Sequence, residues 1–156
     1  MVKKGIILIF FIIFFIEVFP SDYDFSVFTF EEVNTLRQVK PIDRLRIYRK
    51  AICRYSKKMV FSMNFLDFKD VEILNEKLSK VFKYTTGDLV KCIDDRKNRS
   101  NPRILNLYRC LIVCQDRLKG VEGGLPEGKK DMVKGTLNRC KFLKKRLQKF
   151  IFGTLK

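Results

Sequence analysis

Apolar residues recur at three- and four-residue steps, and this spacing constrains the fold more than any other feature of the sequence. In the first long segment, Ile42, Leu45 and Ile52 fall within one arc of roughly 140° on an α-helix. The same spacing extends over four segments, residues 41–65, 68–97, 102–119 and 129–152. No competing segment alternates apolar and polar residues as a half-buried strand does. The pattern therefore predicts an all-α fold, an antiparallel bundle of four to five helices.

Residues typical of helix starts stand at the beginning of these segments. Pro41 and Pro102 suit the first turn of a helix, and Asp67 suits an N-cap. Upstream of them, Thr29 and Glu32 have the spacing of a capping box, which predicts a further short helix.

Glycine marks the weak positions of the helical pattern. The segment Gly120–Gly128 holds four of the eight glycines and one proline, so we expect a loop between the last two helices. Thr85, Thr86 and Gly87 lower the helix propensity of the segment 68–97, and we expect a kink near Gly87.

The first twenty residues have the pattern of an export signal. Two lysines precede an unbroken apolar run from Gly5 to Ile16, and no further basic residue follows until Arg37. A bilayer span needs about 20 apolar residues, whereas the apolar part of a secretory signal has about 7–15. We therefore predict a signal peptide over residues 1–20 of an exported protein, periplasmic or secreted. A retained N-terminal membrane anchor is the alternative, because the residues near position 20 are a poor processing site.

The remaining chain has the size of one domain. The full sequence has 156 residues, and 46% of them are hydrophobic, which suffices for a buried core. We expect a lead-in and a short helix over residues 21–40, the helical bundle over 41–152 and a tail over 153–156.

Five cysteines and the absence of histidine narrow the chemistry. Without His, Ser-His-Asp and Cys-His catalysis and His-ligated zinc are excluded. Export makes disulfides available. Two interpretations stay open: all thiols free, or one disulfide joining Cys53 or Cys92 to Cys110 or Cys114, although Cys110 points away from the apolar stripe of its helix. We predict no catalytic residue, no metal site and no cofactor.

The chain is strongly basic, with 33 Lys and Arg against 17 Asp and Glu and a net charge of +16. Many of these charges follow the polar side of the last segment together with one aromatic ring. Basic and aromatic groups in combination favour an anionic membrane surface or envelope polymer, and export disfavours nucleic acid. A solvated outer face is the plain alternative. The candidate binding residues are Lys134, Arg139, Lys141, Phe142, Lys145, Arg146 and Lys149.

Two stretches carry a resemblance. The residues TFEEV at 29–33 and PIDRLRIY at 41–48 resemble the opening of a group of uncharacterised exported bacterial all-helical proteins. The resemblance covers about residues 29–60. It implies a signal peptide followed by a helical bundle, and it implies no known activity and no site.

These observations together predict a non-enzymatic exported protein. Its expected role is binding or structural, at the cell envelope, through the basic side of the last helix. The alternative is a secreted, disulfide-stabilised helical effector or signalling protein that binds a protein receptor.

Overall fold

A computed structural model describes residues 24–153, which form a bundle of five α-helices and contain no β-strand. The helices are α1 (Phe30–Gln38), α2 (Pro41–Asn64), α3 (Phe68–Ile93), α4 (Pro102–Gly124) and α5 (Lys130–Phe152). Short 3-10 turns precede α1, α4 and α5, at Phe25–Val27, Arg96–Ser100 and Glu127–Lys129. The all-α prediction is confirmed. The signal peptide predicted over residues 1–20 lies outside the described residues, as does the predicted tail beyond Gly153.

The predicted helix starts are confirmed at the level of individual hydrogen bonds. The Thr29 hydroxyl accepts from the Glu32 backbone N–H, and the Glu32 carboxylate accepts from the Thr29 N–H at 2.9 Å, which completes a capping box. The Asp67 carboxylate accepts from the Asp70 N–H at the start of α3. Pro102 occupies the first turn of α4.

Helix α2 lies at the centre of the bundle and packs against α1, α3 and α4, while α5 packs against α3 and α4. The apolar stripes read from the sequence face inward. Within residues 24–153, none of the five helices is long and apolar enough to span a bilayer. The largest fully buried side chains include Leu45, Tyr48, Ile52, Phe82, Ile104 and Leu111.

The glycine-rich segment corrects the prediction of a loop over residues 120–128. Helix α4 continues to Gly124 because Val121 and Leu125 are buried, and burying each gains roughly 1.5–3 kcal/mol. That gain exceeds the cost of about 1 kcal/mol for each glycine in a helix. A Cβ atom built on Gly124 would lie 2.9 Å from the Cε atom of Met63 in α2, so a larger residue there would require the flexible Met63 side chain to move.

Helix α3 ends four residues earlier than predicted, at Ile93 rather than Lys97. The Asn98 side chain turns back and donates to the Cys92 carbonyl at 2.8 Å, which satisfies a carbonyl at the end of the helix. The Asp95 carboxylate caps the following turn by accepting from the Lys97 N–H. The helix runs without interruption through Gly87, where a kink was expected.

A buried polar cluster joins the first three helices. Arg44 lies on the polar side of the predicted α2 helix, yet only 6% of it is exposed. Its Nε atom donates to the carbonyls of Leu36 and Val39, each at 3.1 Å, and its Nη1 atom lies 3.6 Å from the Asp88 Oδ2 atom. The Tyr48 hydroxyl donates to the same carboxylate oxygen at 2.7 Å. A buried arginine requires such a partner, because its charge loses the solvation by water.

A second ion pair binds α1 and the segment before it to α2. Arg54 donates to both carboxylate oxygens of Glu32, at 2.8 and 3.0 Å, and also to the Val27 carbonyl at 3.4 Å. Burial acts to raise the pKa of Glu32, but the hydrogen bonds from Arg54 and from the Thr29 N–H hold that pKa below its usual value.

We predict that Asp88→Ala lowers the free energy of unfolding by about 3 kcal/mol, because it leaves the Arg44 guanidinium buried without its carboxylate partner. Urea denaturation followed by circular dichroism measures the change. Lys91→Ala is the control: this lysine also lies near Asp88, at 3.9 Å, but its side chain is 64% exposed. We expect a change of about 1 kcal/mol or less. Equal effects of the two substitutions would contradict the importance of the buried pair.

A pair of substitutions at Gly120 tests the extension of α4. A Cβ atom built on Gly120 meets no atom within 4 Å, so Gly120→Ala should raise the free energy of unfolding by about 0.5–1 kcal/mol. Gly120→Pro should lower it by about 3 kcal/mol, because proline removes a hydrogen bond inside a helix. Tolerance of proline in the same denaturation measurement would show that this segment is a loop after all.

Candidate functional site

The outward side of α5 carries the predicted cationic surface. Its inward side is buried against the core through Val133, Leu137, Cys140, Leu143 and Leu147. That packing turns Lys141, Lys145 and Lys149 to the opposite side, on successive turns, together with Phe142, which is 57% exposed. We call the set of Lys134, Lys141, Phe142, Lys145 and Lys149 the basic face.

The basic face is poor in compensating negative charge. The only acidic residue of α5 is Asp131, whose carboxylate lies 3.5 Å from the Lys134 Nζ atom. Among residues 24–153, no carboxylate lies within ion-pair distance of Lys141, Lys145 or Lys149. These three ammonium groups therefore remain available to an anionic partner.

The two arginines of the predicted set lie beside the basic face rather than on it. Arg139 donates from Nη1 to the Ser79 hydroxyl of α3 at 2.7 Å, so it links two helices. Arg146 is half-buried. Their sequence positions, 120–140° around α5 from Lys134, place them at the edge of the buried side. The binding role of all seven residues stays a prediction.

A groove between α2 and α4 is a second cationic site, which the sequence analysis missed. Its volume is about 460 Å³, and no carboxylate belongs to its lining. The sequence does not reveal this site, because its basic residues belong to two helices that are far apart in the chain and meet only in the fold. Its five cationic side chains are Arg49, Arg54, Lys57, Arg109 and Arg117.

The cations of the groove differ in their own partners. Arg54 is bound to Glu32, and Arg117 donates to the Ser56 hydroxyl at 3.2 Å and to the Cys53 carbonyl at 3.4 Å. Over residues 24–153, neither Lys57 nor Arg109 has a carboxylate at ion-pair distance. The groove therefore combines fixed charges in its wall with charges that can turn toward a ligand.

Two of the five cysteines meet in this groove. The Sγ atom of Cys53 in α2 lies 2.7 Å from the Sγ atom of Cys110 in α4. Cys110 is only 7% exposed, whereas it was expected to point away from the core. The reason is that α4 packs against both α2 and α5, so a wider arc of its surface is buried than one apolar stripe indicates.

The two sulfurs differ in acidity because of their surroundings. The hydrogen bond from the Cys110 thiol lowers the pKa of Cys53 most; burial opposes it, and the charges of Arg117 and Arg49 lower it further, to about 6. The same contact and its deeper burial raise the pKa of Cys110 well above the ordinary value. Of the two sulfurs, Cys53 is therefore the one that loses its proton more readily.

The other three cysteines lie in less reactive places. Burial raises the pKa of Cys92 to about 11. The interaction with the Cys140 side chain of α5, together with burial, raises the pKa of Cys114 well above its ordinary value. The structure describes all five cysteines in the thiol form. Of the four residues predicted for a disulfide, Cys53 and Cys110 are adjacent, and the disulfide itself stays a prediction.

Comparison with known proteins supplies no relative from which residue roles could be transferred. No protein-family profile, no curated protein and no solved structure matches this chain.

We predict that alkylation of Cys53 by iodoacetamide follows a thiolate with a pKa of about 6. The rate should reach half its maximum near pH 6 and stay level above pH 7, because only the thiolate reacts. Peptide mapping by mass spectrometry at short times measures the rate at each cysteine, with Cys92 as the internal control. A rate at Cys53 that still rises steeply above pH 8 would contradict the lowered pKa.

Proposed function

We propose that this chain is a non-enzymatic exported protein that binds an anionic membrane surface of the cell envelope through the basic face of α5. The observation that carries the proposal is the exposure of Lys141, Lys145 and Lys149 on one side of a helix without carboxylates at ion-pair distance among the described residues. Lysines of this kind attract anionic headgroups.

The position of Phe142 favours a lipid surface over an envelope polymer. Its ring is 57% exposed and lies next to Lys149 at one edge of the basic face, where it gains nothing from water. An aromatic ring at this place enters the boundary between headgroups and acyl chains while the lysines contact phosphates. The predicted export signal supplies access to such a surface.

The expected size of the effect follows from the charges. A basic residue near an anionic membrane contributes about 1 kcal/mol, so the three lysines contribute about 3 kcal/mol, or a factor of roughly 100 in affinity. Screening weakens this contribution as salt concentration rises.

A secreted effector that binds a protein receptor is the second candidate function, and the adjacent Cys53 and Cys110 favour it. A disulfide there would join α2 to α4 across 57 residues and stabilise a small secreted bundle by about 4 kcal/mol. Such a protein would stay in solution beside anionic vesicles, so the same binding experiment separates the two functions.

We predict that the purified protein floats with vesicles containing phosphatidylglycerol at low salt, and much less at high salt or with phosphatidylcholine alone. The triple substitution Lys141→Gln, Lys145→Gln and Lys149→Gln should weaken binding by roughly 100-fold. The matched control removes the same charge at Lys40, Lys83 and Lys119, which are exposed on other elements.

We expect the control variant to lose far less affinity than the basic-face variant. Equal losses would show that net charge alone drives binding, and unchanged binding of the basic-face variant would overturn the proposal.

A further inference from the structure

We infer that Cys53 and Cys110 form a thiol–disulfide exchange site, and that the basic groove around them selects anionic disulfides. Each protein molecule reacts with one disulfide, so the reaction is stoichiometric and is compatible with the non-enzymatic role proposed above. This inference is independent of membrane binding, because the groove lies between α2 and α4 whereas the basic face belongs to α5.

The geometry assigns different roles to the two sulfurs. Cys53 is half-buried and lines the groove, so a disulfide in solution can reach its Sγ atom. Cys110 also lines the groove but is only 7% exposed, and its Sγ atom lies 2.7 Å from that of Cys53. Cys53 is therefore the attacking sulfur, and Cys110 is the resolving sulfur that attacks Cys53 afterwards.

The surroundings of Cys53 suit a nucleophilic thiolate. Arg117 donates to the Cys53 carbonyl, and both Arg117 and Arg49 act electrostatically to lower the pKa of its thiol, after the larger effect of the Cys110 hydrogen bond. A thiolate whose pKa lies near the ambient pH reacts fastest in exchange. Cys114 and Cys92, whose pKa values are raised, do not compete.

The charge of the groove defines the class of substrate. Five cations and no carboxylate line it. Arg54 is paired with Glu32, but the other four have no carboxylate at ion-pair distance among residues 24–153, so an anionic disulfide is attracted and a cationic one is repelled. Lys57 and Arg109 are exposed and stand on opposite walls, α2 and α4, where they can contact such a ligand. The substrate class is thus a small disulfide with negatively charged substituents.

The exchange proceeds in two balanced steps. The Cys53 thiolate attacks one sulfur of the disulfide RSSR, the S–S bond breaks, RS⁻ leaves, and a mixed disulfide Cys53–S–S–R remains. Cys110 then loses its proton, its thiolate attacks the Cys53 sulfur, the Cys53–S–R bond breaks, and the second R group leaves as RS⁻, which takes that proton to become RSH. The two protein sulfurs are oxidised to one disulfide, and RSSR is reduced to two thiol products.

The experiment compares oxidised glutathione, which is anionic, with cystamine, which is cationic. The reduced, full-length protein is mixed with each, quenched with acid, and analysed by mass spectrometry at the level of peptides. The initial rate with oxidised glutathione is divided by the initial rate with cystamine, first for the folded protein and then for the urea-denatured protein. The denatured value corrects for the intrinsic reactivity of the two probes. We expect the folded ratio to exceed the denatured ratio about tenfold at low salt. A normalised ratio near one would overturn the charge selection.

Three variants test the assigned roles. Cys110→Ser should accumulate the mixed disulfide on Cys53, and Cys53→Ser should abolish the fast reaction with both probes. The double variant Lys57→Gln and Arg109→Gln should lower the normalised rate ratio at least threefold while its circular dichroism stays unchanged. First attack at another cysteine, or no accumulation in Cys110→Ser, would overturn the exchange site.

Discussion

The two carboxylates that hold arginines inside the bundle are the interactions on which the rest of the structure depends. Asp88 of α3 lies beside Arg44 of α2, and Glu32 of α1 binds Arg54 of α2 through both oxygens. Without Asp88 the buried Arg44 guanidinium would cost several kcal/mol, and without Glu32 the partly exposed Arg54 would lose its bidentate partner at a smaller cost. The chain holds 33 basic residues and only 17 acidic ones, so the use of Asp88 and Glu32 in these pairs leaves still fewer carboxylates for the cations of the surface.

The consequence is a surface on which cations outnumber their partners in two different settings. On α5 the lysines stand on an open helix face beside an exposed ring, a combination that suits a broad, flat anionic surface. Between α2 and α4 the cations surround a groove with two thiols, a setting that suits a small anionic molecule and changes the acidity of Cys53. The excess of basic residues thus underlies both proposed interactions, one with an anionic surface and one with a small anionic molecule.

The sequence predicts those features that depend on neighbours along the chain. The capping box at Thr29 and the start at Pro102 are correct because both are settled by local hydrogen bonding and by proline geometry. Features that depend on packing were missed. Arg44 is buried because α1 and α3 cover it, Gly120 is helical because Val121 is buried, and the Cys53–Cys110 contact depends on which faces of two helices meet.

In the proposed function, uncompensated lysines of α5, rather than net charge in general, make the contact with an anionic surface. Lysine footprinting by acetylation, with and without phosphatidylglycerol vesicles, measures that contact residue by residue. We expect vesicles to protect Lys141, Lys145 and Lys149, while Lys83 and Lys119 on other helices remain fully reactive. Protection spread evenly over these five lysines, or absent from α5, would contradict the proposed function.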